Sequence, residues 1–249
     1  MNVWGAQIRP PSFDRALAAW LLNHGLMGRA ERAFFEGAIS PGQFIVDVGA
    51  NQGVFTMLFS KLVGPEGRVV ALEPEPRLFA ALDANCRLND AGNVTRVQVA
   101  AGRTRADGVL HCSRFNSGDN RLTDSMKGDS VTVPVVPLDD VLPTETVSLV
   151  KIDVQGYELQ VVEGMQAMMA RSPEIRVCFE YWPEALAHAG CKGSELIDSF
   201  LDRGFSLCEL SKVGLRKLAG ADLMAVKSMS GRRFINLLAI RENAADGVR

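Results

Sequence analysis

The stretch Phe44-Ile45-Val46-Asp47-Val48-Gly49-Ala50-Asn51-Gln52-Gly53 decides the fold of this 249-residue chain. Its first five residues are mostly apolar, as in a buried strand. Two glycines follow within a short turn, and residues 54–63 then have the apolar spacing of a helix. A strand that passes through a glycine turn directly into a helix is the unit from which doubly wound α/β sheets are built.

The same alternation continues toward the C-terminus. Strands that alternate with helices pair in parallel, and we expect the two final strands, which follow the last predicted helix, to pair antiparallel. Two further β segments, residues 108–112 and 131–136, interrupt the pattern. The sequence therefore predicts an α/β fold with strands at residues 69–72, 94–99, 147–154, 175–181, 205–210 and 234–240, and helices at residues 76–88, 157–169 and 194–201.

The N-terminal residues have a different pattern. Residues 12–36 are predicted to form one or two amphipathic helices with Ser12 as the N-cap and an apolar stripe that includes Leu17 and Trp20. The turn at residues 40–42 separates them from the sheet. We therefore divide the chain into a helical arm, residues 1–40, and one α/β domain, residues 41–249. Three roles stay open for this apolar stripe: packing on the sheet, covering a site, or pairing two subunits. A homodimer is therefore one of the assemblies we consider.

Composition excludes several classes of protein. Hydrophobic residues make up 47% of the chain, charged residues make up 22%, and the net charge is -2, which argues against nucleic acid as a partner. The five cysteines have no Cys-x-x-Cys spacing, as expected in a reducing compartment. The longest apolar stretch near the N-terminus is far shorter than the about 20 residues that span a membrane. We expect a soluble, cytoplasmic protein with a small-molecule partner and no membrane partner.

The glycine turn predicts an adenosine cofactor. Ligands of open α/β sheets bind beyond the carboxyl ends of the strands, where Gly49, Asn51 and Gly53 follow the first strand. A dinucleotide site has the pattern G-x-G-x-x-G around a pyrophosphate, and the third glycine is missing here. S-adenosylmethionine instead carries an ammonium and a sulfonium group, which suit a carboxylate such as Asp47 at the strand end. The turn therefore favours S-adenosylmethionine over a dinucleotide.

The end of the second strand agrees with this interpretation. Glu73 lies twenty residues after Gly53, a spacing at which a carboxylate can accept the ribose hydroxyls of an adenosine. A dinucleotide would share this feature, so Glu73 indicates adenosine in general. The residues that we predict to bind the cofactor are Asp47, Gly49, Asn51, Gly53, Glu73, Pro74 and Asp153.

These residues, together with a second block, resemble the FkbM family of methyltransferases. The matching segments are residues 44–55, Leu72-Glu73-Pro74, Asn85, residues 136–140, residues 147–158 and Gly164. The resemblance covers residues 40–242. It implies a Rossmann-like class I methyltransferase fold with a seven-stranded, mostly parallel sheet and an antiparallel last strand. It also implies methyl transfer from S-adenosylmethionine, typically to a hydroxyl of a sugar, polyketide or other secondary metabolite. Gln155 departs from the family, which usually has Glu at this position.

Methyl transfer to an alcohol needs an aligned acceptor and a base that removes its proton. Asp153 ends the strand beside the first strand and is the foremost candidate, while Glu158 and Glu180 are the others. Glu158 has a second interpretation, since it also suits the positive end of a helix dipole. Around them we expect the substrate to contact Asn116, Gln155, Tyr181 and Trp182, with the polar stretch 116–120 as an acceptor loop or an exposed hairpin tip.

We assign no metal, although the side chains of Asp139, Asp140, Asp153 and Glu180 would suit magnesium if they converged. Other functions stay open at this point. A nucleic-acid methyltransferase is disfavoured by the charge balance. A noncatalytic module that keeps the cofactor fold is favoured only by Gln155. A dehydrogenase is favoured only by the glycine turn and Glu73, since dinucleotide sites also have a glycine turn and a carboxylate at this spacing.

Overall fold

The structure, a computed structural model, describes residues 1–14, 18–19, 29–113, 116–123, 129–211 and 214–241. In chain order the elements are β1 (Asn2–Val3), β2 (Ala6–Gln7), α1 (Arg29–Ala38), β3 (Phe44–Val48), α2 (Val54–Val63), β4 (Arg68–Leu72), α3 (Pro76–Leu88), β5 (Val94–Val97), β6 (Ala100–Ala101), β7 (Ala106–His111), a 3-10 turn (Ser117–Asp119), β8 (Arg121–Leu122), β9 (Ser130–Val136), α4 (Leu138–Val141), β10 (Leu149–Ile152), α5 (Glu158–Glu163), α6 (Gln166–Arg171), β11 (Arg176–Tyr181), α7 (Pro183–His188), α8 (Gly193–Leu201), β12 (Phe205–Ser211), β13 (Gly214–Lys217), α9 (Gly220–Lys227) and β14 (Ile235–Arg241). The predicted stripe at Leu17 and Trp20 lies outside the described residues.

The main sheet has the order β13-β12-β14-β11-β10-β3-β4-β5. Neighbours from β5 to β11 pair in parallel, and β14 pairs antiparallel with both β11 and β12. The predicted Rossmann-like α/β fold with an antiparallel last strand is confirmed. The sheet has eight strands instead of the predicted seven, because the chain turns back after β12 and adds the short edge strand β13.

The winding of the sheet reverses between β3 and β10, two neighbouring strands in its interior. A reversal opens a crevice beyond the carboxyl ends of the strands, where ligands of this fold bind. The two loops at this point approach each other closely: a Cβ atom added to Gly49 would collide with the backbone carbonyl of Asp153. Gly49 also has a φ of 79°, which favours glycine. The close approach therefore requires glycine at this position.

An apolar layer covers each face of the sheet. Alternate residues of β3 and β10 point to opposite faces, so Val46 and Ile152 pack against α5, α6 and α8, whereas Ile45 and Leu149 pack against α1 and α2. Burial of each such side chain contributes about 1.5–3 kcal/mol. The hairpin β1–β2 and α1 join the second layer through Ile8 and other buried side chains. The division of the chain at residue 40 stays a prediction.

Several elements differ from their predicted bounds; β10, for example, spans Leu149–Ile152 instead of residues 147–154. The predicted helix 157–169 is divided into α5 and α6, because Gly164 lies against the carbonyl of Gly102 and the carboxylate of Asp139 accepts the backbone N–H groups of Ala167 and Met168 at 2.8 and 2.6 Å. Asp139 thereby starts a new helix. The predicted strand 94–99 ends earlier, at Val97, because the chain then leaves the main sheet.

A second sheet of four strands has the order β6-β9-β7-β8. It contains the two β segments that interrupt the helix–strand alternation in the sequence, and its observed strands extend each of them at the N-terminal end. Its position matters because β6, β7 and β8 bring Ala101, Leu110 and Leu122 to the carboxyl edge of the main sheet. Within the described residues, no helix is long and apolar enough to cross a membrane.

Candidate active site

The loop from Gly49 to Gly53 connects β3 to α2 at the crevice. Asn51 adopts a left-handed conformation with a φ of 53°, which turns its backbone N–H toward β4. That N–H donates a hydrogen bond of 2.8 Å to Oε2 of Glu73. The loop that follows the first strand is thus attached to the residue that ends the second.

Glu73 is buried at the end of β4. Its Oε1 accepts a hydrogen bond of 2.9 Å from the backbone N–H of Glu75, as its Oε2 does from Asn51. Burial raises the pKa of Glu73 to about 7, although the two N–H donors oppose the rise. Each carboxylate oxygen keeps a second lone pair for a ligand.

Glu73 borders the smaller of two adjoining cavities, which has a volume of about 130 Å³. Its wall combines apolar side chains with a few polar groups, as expected for a site that takes a flat, partly apolar ligand. The lining residues include Asn51, Leu72, Glu73, Pro74, Leu78, Val99, Leu110, Ser117 and Leu122. The cavity therefore suits an adenosine.

The larger cavity has a volume of about 470 Å³, within the range of about 300–1,000 Å³ that is typical of small-molecule sites. It lies over the same ends of β3, β10 and β11, and α1 contributes Glu31 and Phe35 to its wall. The two cavities share the lining residues Gly49, Asn51, Gly118, Asp153 and Gln155. A ligand that occupies the smaller cavity can therefore extend into the larger one past these residues.

Lys151 forms the floor of the larger cavity together with two carboxylates. It pairs in register with Asp47 of β3, and its Nζ lies 3.9 Å from Asp47 Oδ1 and 3.2 Å from Asp153 Oδ2. Burial disfavours the charge of Lys151, but the attraction of Asp153 and Asp47 outweighs it and raises the pKa above its ordinary value. The lysine therefore stays protonated and holds the two carboxylates in place.

Gln155 joins the two carboxyl groups at the end of the crevice. Its Nε2 donates a hydrogen bond of 2.8 Å to Asp153 Oδ1 and one of 3.2 Å to Glu180 Oε2. The backbone of Gln155 has a φ of 55°, an uncommon conformation that costs energy for a residue other than glycine. Burial, the charge of Asp153 and that of Glu158 raise the pKa of Glu180 to about 8. A carboxyl group with such a pKa can exchange a proton near neutral pH.

The Gln52 amide on the wall of the larger cavity is buried, and neither of its side-chain atoms has a hydrogen-bond partner among the described residues. Asp47 Oδ1 also lacks a hydrogen bond there but lies 3.9 Å from Lys151 Nζ, while Asp47 Oδ2 accepts a hydrogen bond of 2.6 Å from Thr56. Buried polar groups are usually satisfied, so these orphaned atoms indicate a polar ligand. An amide oxygen and a carboxylate suit an ammonium group, and an amide N–H suits a carboxylate.

Most of the predicted site residues line the cavities. Of the predicted cofactor residues, Gly49, Asn51, Glu73, Pro74 and Asp153 border the smaller cavity, and Asp47 borders the larger. Of the remaining predicted residues, Asn116, Gln155 and Glu180 border the larger cavity. Trp182 borders neither, but its ring lies 6.3 Å from that of Phe234, which lines the larger cavity.

Three predicted residues are placed elsewhere. Gly53 faces Leu82, and its φ of 91° at the start of α2 explains the glycine without any ligand. Glu158 is buried, and its Oε1 accepts the backbone N–H groups of Val154 and Gly156 at 3.4 and 3.1 Å. It thus holds the loop after β10 instead of facing an acceptor. Tyr181 points to the opposite face of the sheet, where it is fully buried against Gly193.

The suggested convergence of four acidic residues does not occur. Asp139 binds the first turn of α6, and Asp140 forms an ion pair of 2.7 Å with Arg105, so neither joins Asp153 and Glu180. Within the described ranges, no group of three or more His, Cys, Asp or Glu side chains is arranged to hold a metal ion.

The site also contains residues that the sequence interpretation missed. Gln52 is part of the glycine turn, and Lys151 stands between apolar residues of a buried strand. Each is a polar residue where the pattern requires an apolar or small one, and this departure was a signal in the sequence. Asn236 and Phe234 carried none, because they reach the cavity only through the antiparallel pairing of β14 with β11.

Comparison with known proteins agrees with this geometry. A family model described as the methyltransferase FkbM domain matches residues 47–207, which is more than half of the chain. The 31-O-demethyl-FK506 methyltransferase FkbM of Streptomyces tacrolimicus is 31% identical over 172 residues, which cover 55% of this chain and 64% of that protein. Methyltransferase 1 of Beauveria bassiana is 31% identical over 145 residues, which cover 49% and 58%. The chain thus spans less than two thirds of the length of these curated relatives.

Among solved structures, the ribosomal protein L11 methylase of Lactobacillus delbrueckii subsp. bulgaricus has a TM-score of 0.50 at 13% identity, over 88% of this chain and 79% of that chain. At this identity the likeness concerns the fold alone, and it agrees with the doubly wound sheet described above.

Proposed function

Because this chain belongs to the FkbM family of methyltransferases, we propose that it methylates a hydroxyl group of a small molecule. Its cofactor is S-adenosylmethionine, the methyl donor of the family. The observation that carries the proposal is the junction of the two cavities at Asp153 and Gln155, directly beside the carboxyl group of Glu180. A donor whose adenosine lies in the smaller cavity and an acceptor in the larger one would meet at this junction.

The residues around the junction fit the cofactor. Glu73 would accept the ribose hydroxyls, while the orphaned atoms of Asp47 and Gln52 would bind the ammonium and carboxylate of the amino-acid end. S-adenosylmethionine supplies a methyl group on a sulfonium, which is a good leaving group. The contribution of the chain is therefore to align the acceptor and to remove its proton.

We assign the removal of the proton to Glu180. It is half-buried, lines the larger cavity and has a pKa of about 8 because of burial and the charge of Asp153. A base is most effective when its pKa is near the working pH. Asp153 would orient the acceptor hydroxyl, and Gln155 would hold both carboxyl groups in position through its amide.

Methylation at oxygen is the finer part of the proposal. An alcohol must lose a proton to become a methyl ether, and Glu180 supplies an acceptor for that proton. The name of the Streptomyces relative also assigns its reaction to an oxygen atom of its substrate. Both observations favour a hydroxyl acceptor.

The proposal is tested by calorimetric titration with S-adenosylhomocysteine, the product form of the cofactor. We expect binding by the wild type and weak or no binding by Glu73→Ala, which removes the carboxylate from the smaller cavity. Glu66→Ala is the matched control, because Glu66 is exposed and outside both cavities. A wild-type protein that does not bind S-adenosylhomocysteine would refute the proposed function.

A further inference from the structure

The wall of the larger cavity combines apolar, acidic and neutral polar side chains. Its aromatic side chains are those of Phe35, Phe55 and Phe234, whereas Ile152 and Phe179 border the cavity with their side chains buried on the opposite face of the sheet. The acidic side chains are those of Glu31, Asp47, Asp153 and Glu180, and the neutral polar ones are those of Asn51, Gln52, Asn116, Gln155 and Asn236. The composition of this wall restricts which molecules can occupy the cavity.

The only positive charge among the described lining residues is Lys151, and it is already engaged. Its Nζ lies between Asp47 and Asp153, and it also lies 4.8 Å from the centre of the Phe55 ring. With Asp47 assigned to the cofactor ammonium and Glu180 protonated, the carboxylates of Glu31 and Asp153 still face the single ammonium group of Lys151. An anionic ligand would therefore meet net repulsion, which low-dielectric surroundings strengthen.

The pairing of β14 with β11 brings Asn236 and Phe234 to the cavity beside Glu180. Glu180 pairs in register with Asn236, whose Nδ2 donates a hydrogen bond of 2.5 Å to Glu31 Oε1. Phe234 lies two residues before Asn236 and is 53% exposed, with its ring against that of Trp182. A ligand that enters past Phe234 meets aromatic surface first and the carboxyl groups of Glu180 and Asp153 next.

A further cation lies beyond this wall, at Arg121. Its guanidinium lies over the ring of Trp182, 4.6 Å from the centre, and one nitrogen lies 3.4 Å from His188 Nδ1. Arg121 is not among the residues that line the larger cavity. It therefore does not offset the carboxylates at the reacting end.

We infer that the methyl acceptor is a molecule with an apolar body whose reacting end carries no anionic group, such as an uncharged cyclic or aromatic alcohol, and that the acidic wall, with Asp153 at the junction of the two cavities, excludes phosphorylated or carboxylated alternatives. This inference rests on the proposed function for the identity of the cavity as the acceptor site. It concerns the selection among acceptors, which the methyl-transfer reaction itself leaves open.

Two dyes that share one apolar body test the inference directly. 1-Anilinonaphthalene is uncharged, and 8-anilinonaphthalene-1-sulfonate adds one sulfonate to the same rings. Each is titrated by fluorescence against the full chain at low salt with saturating S-adenosylhomocysteine. We expect the uncharged dye to bind more tightly by about tenfold or more, because the sulfonate faces the carboxylates.

Variants assign the difference to the cavity. In the double variant Asp153→Asn/Glu180→Gln the preference should fall severalfold, whereas Glu66→Gln, which changes an exposed carboxylate, should keep it. Phe234→Ala should weaken the binding of both dyes, and Met224→Ala, an exposed apolar residue on α9, should weaken neither.

The outcomes separate this inference from the proposed function. Equal affinity for the two dyes, a preference that survives the double variant, or uncharged-dye binding that Phe234→Ala leaves unchanged would each overturn the inference. S-adenosylhomocysteine binding would still stand in those cases. Loss of S-adenosylhomocysteine binding by the wild type would instead refute the proposed function.

Discussion

The side-chain amide of Gln155 donates a hydrogen bond of 3.2 Å to Oε2 of Glu180. Because the same nitrogen also donates to Asp153, the amide lies between two carboxyl groups that would otherwise repel each other. This hydrogen bond lowers the pKa of Glu180. Burial and the neighbouring negative charges have larger effects in the opposite direction, and the pKa is raised to about 8. The proton affinity of Glu180 thus depends on residue 155.

If Glu180 is the base, Glu180→Gln should reduce kcat by about 10²–10⁴, the usual contribution of general-base catalysis, while S-adenosylhomocysteine binding stays within a few-fold of wild type. The wild-type kcat should also rise with pH through about pH 8, because the group works only when deprotonated. Both are measured by release of S-adenosylhomocysteine over a pH series. Glu174→Gln, at an exposed position before β11, is the control. An unchanged kcat in Glu180→Gln would assign the proton to another group.

Gln155→Glu should move the pH profile of kcat to higher pH. In the wild type, the hydrogen bond that Gln155 donates lowers the pKa of Glu180. The substitution removes this hydrogen bond and adds a negative charge, and both changes raise that pKa. Less of the base is then deprotonated at pH 7. A pKa of Glu180 that is higher by about one would reduce activity at that pH by about tenfold, and activity should recover at alkaline pH.

Gln166→Glu provides the matched control, since Gln166 is an exposed glutamine on α6. It should leave the profile in place. A Gln155→Glu profile that coincides with wild type would show that residue 155 does not tune the base.

The parts of the fold that could be predicted are those with a local pattern. The bounds of α3 agree with residues 76–88, because Glu75 accepts the N–H of Leu78 at 2.7 Å and Pro76 starts the helix, both of which are local signals. The division between α5 and α6 could not be predicted, since it depends on Gly164 contacting Gly102 and on Asp139, residues that are distant in sequence.

The same distinction applies to the site. Gly49, Glu73 and Asp153 could be assigned because each stands at the end of a parallel strand, and strand ends meet at one edge of the sheet. Tyr181 was misplaced because it is adjacent in sequence to Glu180 but on the opposite face of β11. Applied to β11, the two-residue period of strands would have separated the two side chains.

Gly49→Ala should abolish S-adenosylhomocysteine binding. It should also lower the free energy of unfolding by more than left-handed backbone strain alone would, because the added Cβ would collide with the carbonyl of Asp153. Gly42→Ala is the control, because Gly42 has a similar φ of 82° but no atom within 4 Å of an added Cβ. The control should lose about 1–2 kcal/mol from left-handed strain, measured by chemical denaturation. A loss of equal size in the two variants would contradict the close contact between Gly49 and Asp153.

Lys151→Met should lower the free energy of unfolding by about 3–5 kcal/mol, the cost of leaving a buried charge without its partner. Asp47 is fully buried, and burial already raises its pKa against the attraction of Lys151, so without that ammonium group its carboxylate stays charged and unpaired or takes up a proton, either of which costs stability. Lys227→Met removes a more exposed partner from Asp198 and should cost only about 0–1 kcal/mol.

The double variant Asp47→Asn/Lys151→Met distinguishes an ion pair from simple packing. It should lose less stability than the sum of the two single variants, because neither partner is left charged and alone. Additive losses would show that Lys151 and Asp47 do not stabilise each other.

Gln52→Met should make the ligand-free protein more stable while it weakens the binding of S-adenosylhomocysteine. The amide of Gln52 is buried with neither atom bonded to any described residue, and such a group costs about 1–3 kcal/mol. Met has a similar length and no unsatisfied polar atom, so the free energy of unfolding should rise by about 1 kcal/mol or more. If Gln52 is kept for the amino-acid end of the cofactor, the same change removes that contact. Gln166→Met, at an exposed position, should alter neither quantity. A Gln52→Met protein that binds S-adenosylhomocysteine as tightly as wild type would assign the orphaned amide to some other role.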